Sequence, residues 1–116
     1  MPPPAPTASP VPRPAGPVIF FCPPIPVAVQ LAPGTIVLQG MICGSGFQPG
    51  ELVTFTATGP HASISWQVVT TRSGTVTAPL SPLLCRLVPA TITATGNRGS
   101  HANTLVLAPS ACEVRA

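Results

Sequence analysis

A chain of 116 residues is one domain with a tail, and only 6% of this one is charged, against about 25% in typical domains. The charges are Arg13, Arg72, Arg86, Arg98, Arg115, Glu51 and Glu113, and there is no Lys, Asp or Tyr. The net charge of +3 reflects that scarcity; the arginines are scattered without aromatic interleaving, which argues against nucleic-acid binding.

A soluble monomer normally uses charge for solubility. Here Thr and Ser hydroxyls must serve, or neighbouring subunits must cover much of the surface. No stretch reaches the ~20 apolar residues of a membrane helix, so no membrane insertion is expected. Met1-Pro2-Pro3-Pro4 has no basic n-region, and Val18–Phe21 is too short for a signal h-region. The expectation is a leader already removed or never used.

Residues 1–17 are nearly all Pro, Ala, Thr and Ser, a composition that favours extended polyproline II and builds no core. They form an arm or linker ahead of a domain spanning 18–116. Val18 to Cys22 is a short apolar run that ends at Pro23-Pro24. Phe20 and Phe21 are adjacent there, so on a strand they point to opposite faces. At least one is a candidate interface anchor. Pro26 to Leu31 reads as an edge strand, because proline is tolerated only at edges or strand starts. After the Pro33-Gly34 turn, Thr35 to Cys43 reads as one long strand.

Gly44 to Glu51 is a loop by composition. Leu52 to Thr58 then alternates, with Val53, Phe55 and Ala57 on one face and threonines on the other. Ser63 to Val69 alternates again, with Ile64, Trp66 and Val68 inward, which places Trp66 in the core of a central strand. Thr75 to Leu80, Ala90 to Thr95 and Ala102 to Ala108 complete the series. There is no helical periodicity. Seven or eight short strands separated by turn signals are the pattern of an all-β antiparallel sandwich.

The last hairpin fixes a register. If Thr95 opposes Ala102, Ile92 opposes Leu105 and Ala90 opposes Leu107, so large and small apolar residues meet on one face. Extending that ladder brings Cys85 level with Cys112. Folding at Pro33-Gly34 brings Cys22 close to Cys43. The preferred pairing is therefore Cys22–Cys43 with Cys85–Cys112, one bridge at each pole; Cys22–Cys112 with Cys43–Cys85 stays open as the competitor. Each bridge would add about 3 kcal/mol and suits an oxidising environment.

The residues for chemistry are missing. His61 and His101 have no ligand spacing with the cysteines, so no metal or cofactor is expected. A Ser/His/acid triad has no Asp, and Glu51 and Glu113 make no acid/base pair. The chain is not expected to be an enzyme.

The run Gly44-Ser45-Gly46-Phe47-Gln48-Pro49-Gly50-Glu51, followed by Leu52-Val53-Thr54-Phe55, resembles the B–C region of bacterial and phage immunoglobulin-like domains. Ser73-Gly74-Thr75-Val76 resembles their turn before strand E, and Val88 to Gly96 their strand F. The resemblance covers about residues 25–108 and implies an immunoglobulin-like sandwich, without a tyrosine corner. A weaker resemblance is to the neocarzinostatin-type carrier apoproteins, which are β-sandwiches of similar length with two disulfides.

The expectation is a structural immunoglobulin-like subunit on the exterior of a larger assembly, such as a virion surface or decoration protein or an extracellular polymer subunit. Its partners would be protein, either further copies of itself or a capsid or surface protein. Contact would run through the arm and neutral threonine-rich faces, with oligomers in situ. The rivals are a secreted adhesion or spacer module and a small-molecule carrier.

Overall fold

The computed structural model describes residues 16–81 and 83–114. The Pro-rich arm expected over residues 1–17 therefore lies outside the described residues, apart from Gly16 and Pro17. The described chain is all-β. Its strands are β1 (Val18–Phe21), β2 (Val27–Ala32), β3 (Thr35–Gln39), β4 (Met41–Ser45), β5 (Leu52–Thr58), β6 (Ser63–Val69), β7 (Val76–Pro79), β8 (Ala90–Gly96) and β9 (Leu105–Leu107). Two 3-10 turns, Leu84–Arg86 and Pro109–Cys112, follow β7 and β9. All pairings are antiparallel, in sheets ordered β1-β4-β7 and β6-β5-β8-β9 with a separate β2-β3 ribbon.

The alternation in the sequence decides the layers. A strand side chain points to alternate faces, so one apolar set per strand turns inward. Val53, Phe55 and Ala57 of β5 and Ala90, Ile92 and Ala94 of β8 are buried. They meet Ile19, Ile42, Val76 and Ala78 from the other sheet in one core. Phe55 opposes Ala94, and Ala57 opposes Ile92, so volume is shared between neighbours. Burying one such large apolar side chain stabilises the fold by roughly 1.5–3 kcal/mol.

The structure has nine strands in its described residues rather than seven or eight, and Gly40 is the main reason. The run Thr35 to Cys43 is two strands, β3 and β4, broken where Gly40 takes φ 151°. A Cβ on Gly40 would lie 3.2 Å from Leu80 Cδ1 and 3.4 Å from Pro26 Cβ. Without a side chain, the backbone bends there and leaves the ribbon for the main sheet.

The last hairpin also differs from expectation at one end. Ile92 pairs with Leu105 and Ala90 with Leu107, yet Thr95 faces His101 rather than Ala102. One extra residue is thus taken up between His101 and Leu105, as in a β-bulge. Asn103 sits in that irregular stretch. Its Nδ2 donates to Ile19 O at 3.1 Å, and its Oδ1 accepts from Ile19 N–H at 2.7 Å. A side-chain amide here pairs with a strand of the opposite sheet as another strand would.

Trp66 is not on a central strand. β6 is an edge of its sheet, and Trp66 is half-buried, stacked on Phe55 with centroids 5.7 Å apart. The alternation of β6 is clean, but alternation reports a buried face and is silent on lateral neighbours.

The disulfides are Cys22–Cys43 and Cys85–Cys112. They do not lie at opposite poles. Cys22 follows β1 beside Met41, and Leu80 donates to Gly40 O before the turn carrying Cys85, so both bridges lie toward the same end. The cause is the ribbon, which occupies the chain between Cys22 and Cys43 and lies against the two turns joined by Cys85–Cys112. One bridge closes the ribbon's base, and the other ties together its seat.

Replacing Cys22 and Cys43 by serine should lower unfolding stability by about 3 kcal/mol, from the loop-closure argument. Hydrogen exchange should show the loss of protection concentrated in β2 and β3. Equal loosening of β5 and β8 would show that the bridge does not act on the ribbon.

Candidate interaction surface

The outer face of the three-stranded sheet follows from its register. Phe20 opposes Cys43, which opposes Thr77, and Met41 opposes Pro79. Ile19, Ile42, Val76 and Ala78 point inward, so Val18, Phe20, Met41 and Cys43 point outward together. Phe20 is 49% exposed, and Val18 and Met41 are also exposed. The two candidate anchors therefore separate. Phe21 packs half-buried against the core, while Phe20 stands on an uncharged apolar patch beside the Cys22–Cys43 bridge.

The outer face of the four-stranded sheet is a grid of hydroxyls. Thr54, Thr56 and Thr58 of β5 oppose Thr95, Thr93 and Thr91 of β8. On the other side they oppose Gln67, Ser65 and Ser63 of β6. Gln67 Nε2 donates to Thr54 Oγ1 at 3.2 Å, and Thr56 and Ser65 share a hydroxyl contact at 3.4 Å. No charged residue stands on these strands. Val69 and Val106 are exposed at the borders of the grid.

Two depressions flank the β2-β3 ribbon. One of about 410 Å³ is lined by Thr35, Ile36, Val37, Leu83, Arg86 and the Cys85–Cys112 residues, among others. The other, about 280 Å³, lies between Ile25–Ala28 and Ser110–Glu113. Among the described residues, no three His, Cys, Asp or Glu side chains converge on a point that could hold a metal. His61 and His101 are both exposed. No helix among the described residues is long and apolar enough to cross a membrane.

Glu51 is the residue whose role the sequence left unread. It closes the loop between β4 and β5, which begins only at Gly46 because Gly44 and Ser45, expected in the loop, belong to β4, and it is fully buried. Its Oε1 accepts from Gln48 N–H at 3.1 Å and its Oε2 from Arg98 N–H at 2.8 Å. Its own N–H donates to Thr70 Oγ1, which in turn donates to Gln48 O. Gly96 makes room: a Cβ there would sit 2.2 Å from the carboxyl carbon. Arg98 adds a guanidinium bond to Pro49 O at 3.0 Å. The carboxylate thus caps the Gly96–Ser100 turn and joins it to the loop before β5. Burial pushes its pKa up, but the Ser100 hydroxyl and the N–H groups of Gln48, Arg98 and Ser100 favour the charged form and hold it below the ordinary 4.5. The available signal was that one of only two acidic residues in the chain closes a glycine-rich run just before a strand.

No protein-family model matches the chain, and no curated protein or solved structure matches it.

A carboxyl whose folded pKa is depressed gives stability that is present above its unfolded value and is lost as pH falls through the folded one. The urea midpoint of unfolding should therefore fall as the pH drops below 4.5. Glu51→Gln should cost about 2 kcal/mol at neutral pH, because an amide group replaces one acceptor among donors. The variant should also lose most of the acid dependence. A variant with the wild-type acid profile would place that dependence elsewhere.

Proposed function

We propose that the chain is a structural, non-enzymatic module: an immunoglobulin-like sandwich on the exterior of a larger assembly, at a virion surface or in an extracellular polymer. The sheet orders β1-β4-β7 and β6-β5-β8-β9 support the immunoglobulin-like reading. They fit strands A, B and E in one sheet and C′, C, F and G in the other, with the ribbon inserted between A and B. In this reading the run Gly44–Glu51 spans the end of B and the loop to C, which is what the resemblance implies.

The observation that carries the assembly reading is the nature of the two outer faces. One presents Phe20, Val18 and Met41, and the other a hydroxyl grid, and neither bears a charge. Contiguous apolar patches ringed by polar residues mark contact surfaces, and neutral faces bring neither long-range repulsion nor salt sensitivity to such a contact. The arm precedes β1 directly in the chain, and β1 carries Phe20, so in this reading both serve the same contact. Two disulfides suit an oxidising exterior.

A small-molecule carrier is the second reading, and the groove of about 410 Å³ beside the ribbon is the observation in its favour. That volume lies near the lower end of the roughly 300–1,000 Å³ of ligand sites.

Multi-angle light scattering of three forms separates these readings: the full chain, a chain lacking residues 1–15, and Phe20→Gln. The assembly reading expects concentration-dependent self-association, or capture by the native particle's own surface protein, weakened at least tenfold in both altered forms. If all three forms are equally monomeric and none is captured, the chain is a spacer module or carrier instead.

A further inference from the structure

Every sheet ends in edge strands, whose outward N–H and C=O groups can pair with another chain. This protein closes its edges in different ways. β1 is four residues long, stops at Pro23-Pro24, and has Ile19 taken by Asn103. β7 is four residues long and contributes Pro79, which has no N–H. β9 is three residues long and runs into Pro109. The ribbon has a register shift between Gln30 and Ala32 and lies against the disulfide-linked turns.

β6 has none of these devices. It is seven residues long, Ser63-Ile64-Ser65-Trp66-Gln67-Val68-Val69, with no proline and no charge. Its register against β5 is unbroken. The parity of its free groups follows from the ladder's ends. Gly59 N–H donates to Ala62 O, and Thr70 N–H donates to Glu51 O. In an antiparallel ladder, hydrogen-bonded residues alternate with outward ones. Ile64, Trp66 and Val68 therefore bond to β5, while Ser63, Ser65, Gln67 and Val69 turn their backbone groups to the free edge. Among the described residues, no backbone hydrogen bond reaches those groups.

We propose that β6 is an assembly edge that pairs antiparallel with β6 of a second copy, joining two four-stranded sheets into one. This deepens the assembly reading above by naming a partner and a contact. The pairing is self-complementary. Centred on Trp66, it places Ser63 opposite Val69 and Ser65 opposite Gln67, so outward groups meet outward groups throughout. Ile64 then faces Val68 on the core side, and the hydroxyl grid continues across the junction on the other. A two-fold axis through Trp66 makes both halves identical. Strand addition of this kind takes its affinity from main-chain hydrogen bonds. The arm is a poor alternative occupant, because proline at 2, 3, 4, 6, 10, 12, 14 and 17 removes the donors a ladder needs.

The test uses the full chain in sedimentation velocity and in residue-resolved hydrogen exchange over a concentration series. A dimer should grow with concentration. The amides of Ser63, Ser65, Gln67 and Val69 should gain at least tenfold protection with it, while Ile64, Trp66 and Val68 are protected from the start. The double variant Ser65→Lys/Gln67→Lys gathers four ammonium groups around the two-fold axis on an exposed face, and should weaken dimerisation at least tenfold. Thr93→Lys, on the same face but two strands inward, should leave it unchanged. Odd-numbered amides that stay unprotected at every concentration, or a double variant that dimerises like the parent, overturn the proposal. If association persists in that double variant but depends on Phe20, the edge is excluded and the assembly reading stands. A chain that neither associates nor is captured removes both.

Discussion

A β-sandwich must dispose of the polar backbone groups along its edge strands, and this chain must do so almost without charge. Charged side chains, lysine above all, are the common guard, and there is no lysine here. Most of the fold's irregular features answer that constraint. Strands β1, β7 and β9 are short, prolines stand where outward N–H groups would be, and Asn103 supplies a side-chain amide in place of a strand. The bulge near Asn103 has its purpose in this: the extra residue takes Asn103 out of the β8-β9 ladder and lets it reach β1. A regular hairpin would have left Ile19 with two unpaired groups.

The two ends of the sandwich are held by different chemistry. At one end, Glu51 gathers backbone donors from two loops, and Thr70 relays a hydrogen bond between them. A buried charge is tolerated only when its lone pairs are met by donors, and here the donors are mostly backbone N–H groups of loops with no strand partner. The carboxylate and the loops therefore satisfy each other. At the other end, two covalent bridges hold a ribbon that contributes few buried side chains, Leu38 among them. A ribbon of two strands is marginal in water by itself, so covalent support belongs at that end.

Much of this was legible in the sequence, for reasons that differ by element. β5 and β8 were readable because one face is buried and the period of two is strict. The pairs Ile92–Leu105 and Ala90–Leu107 followed from matching large with small. The turns at Pro33-Gly34 and the final hairpin led to the disulfides found. Gly40 was not legible as a break, because a single glycine between Gln39 and Met41 in a strand-like run reads equally as a bulge or as nothing. The one-residue shift at His101 was hidden because Thr95 is exposed, so neither register costs core contacts. The lateral position of Trp66, on edge strand β6, does not follow from its alternation, because burial pattern and lateral order are independent. Glu51 shows in the sequence only as part of a loop motif, since its partners are backbone groups that carry no sequence identity. Of the two anchors, pattern alone required only that Phe20 and Phe21 face opposite ways; the core chose which one.

The same scarcity of charge governs what the surface can do. A charged edge or face discriminates by repulsion, keeping unwanted neighbours apart over about 8 Å at physiological salt. A neutral surface has no such range and must discriminate by shape and hydrogen-bond register at contact. Where an edge is blocked by proline or by a capping amide, register cannot be matched and pairing fails. Where an edge is left regular, as in β6, pairing is permitted only in registers that align both the outward groups and the two faces. The closed edges and the open one are therefore parts of a single selection rule, in which the places a neighbour can join are set by where the backbone remains unpaired.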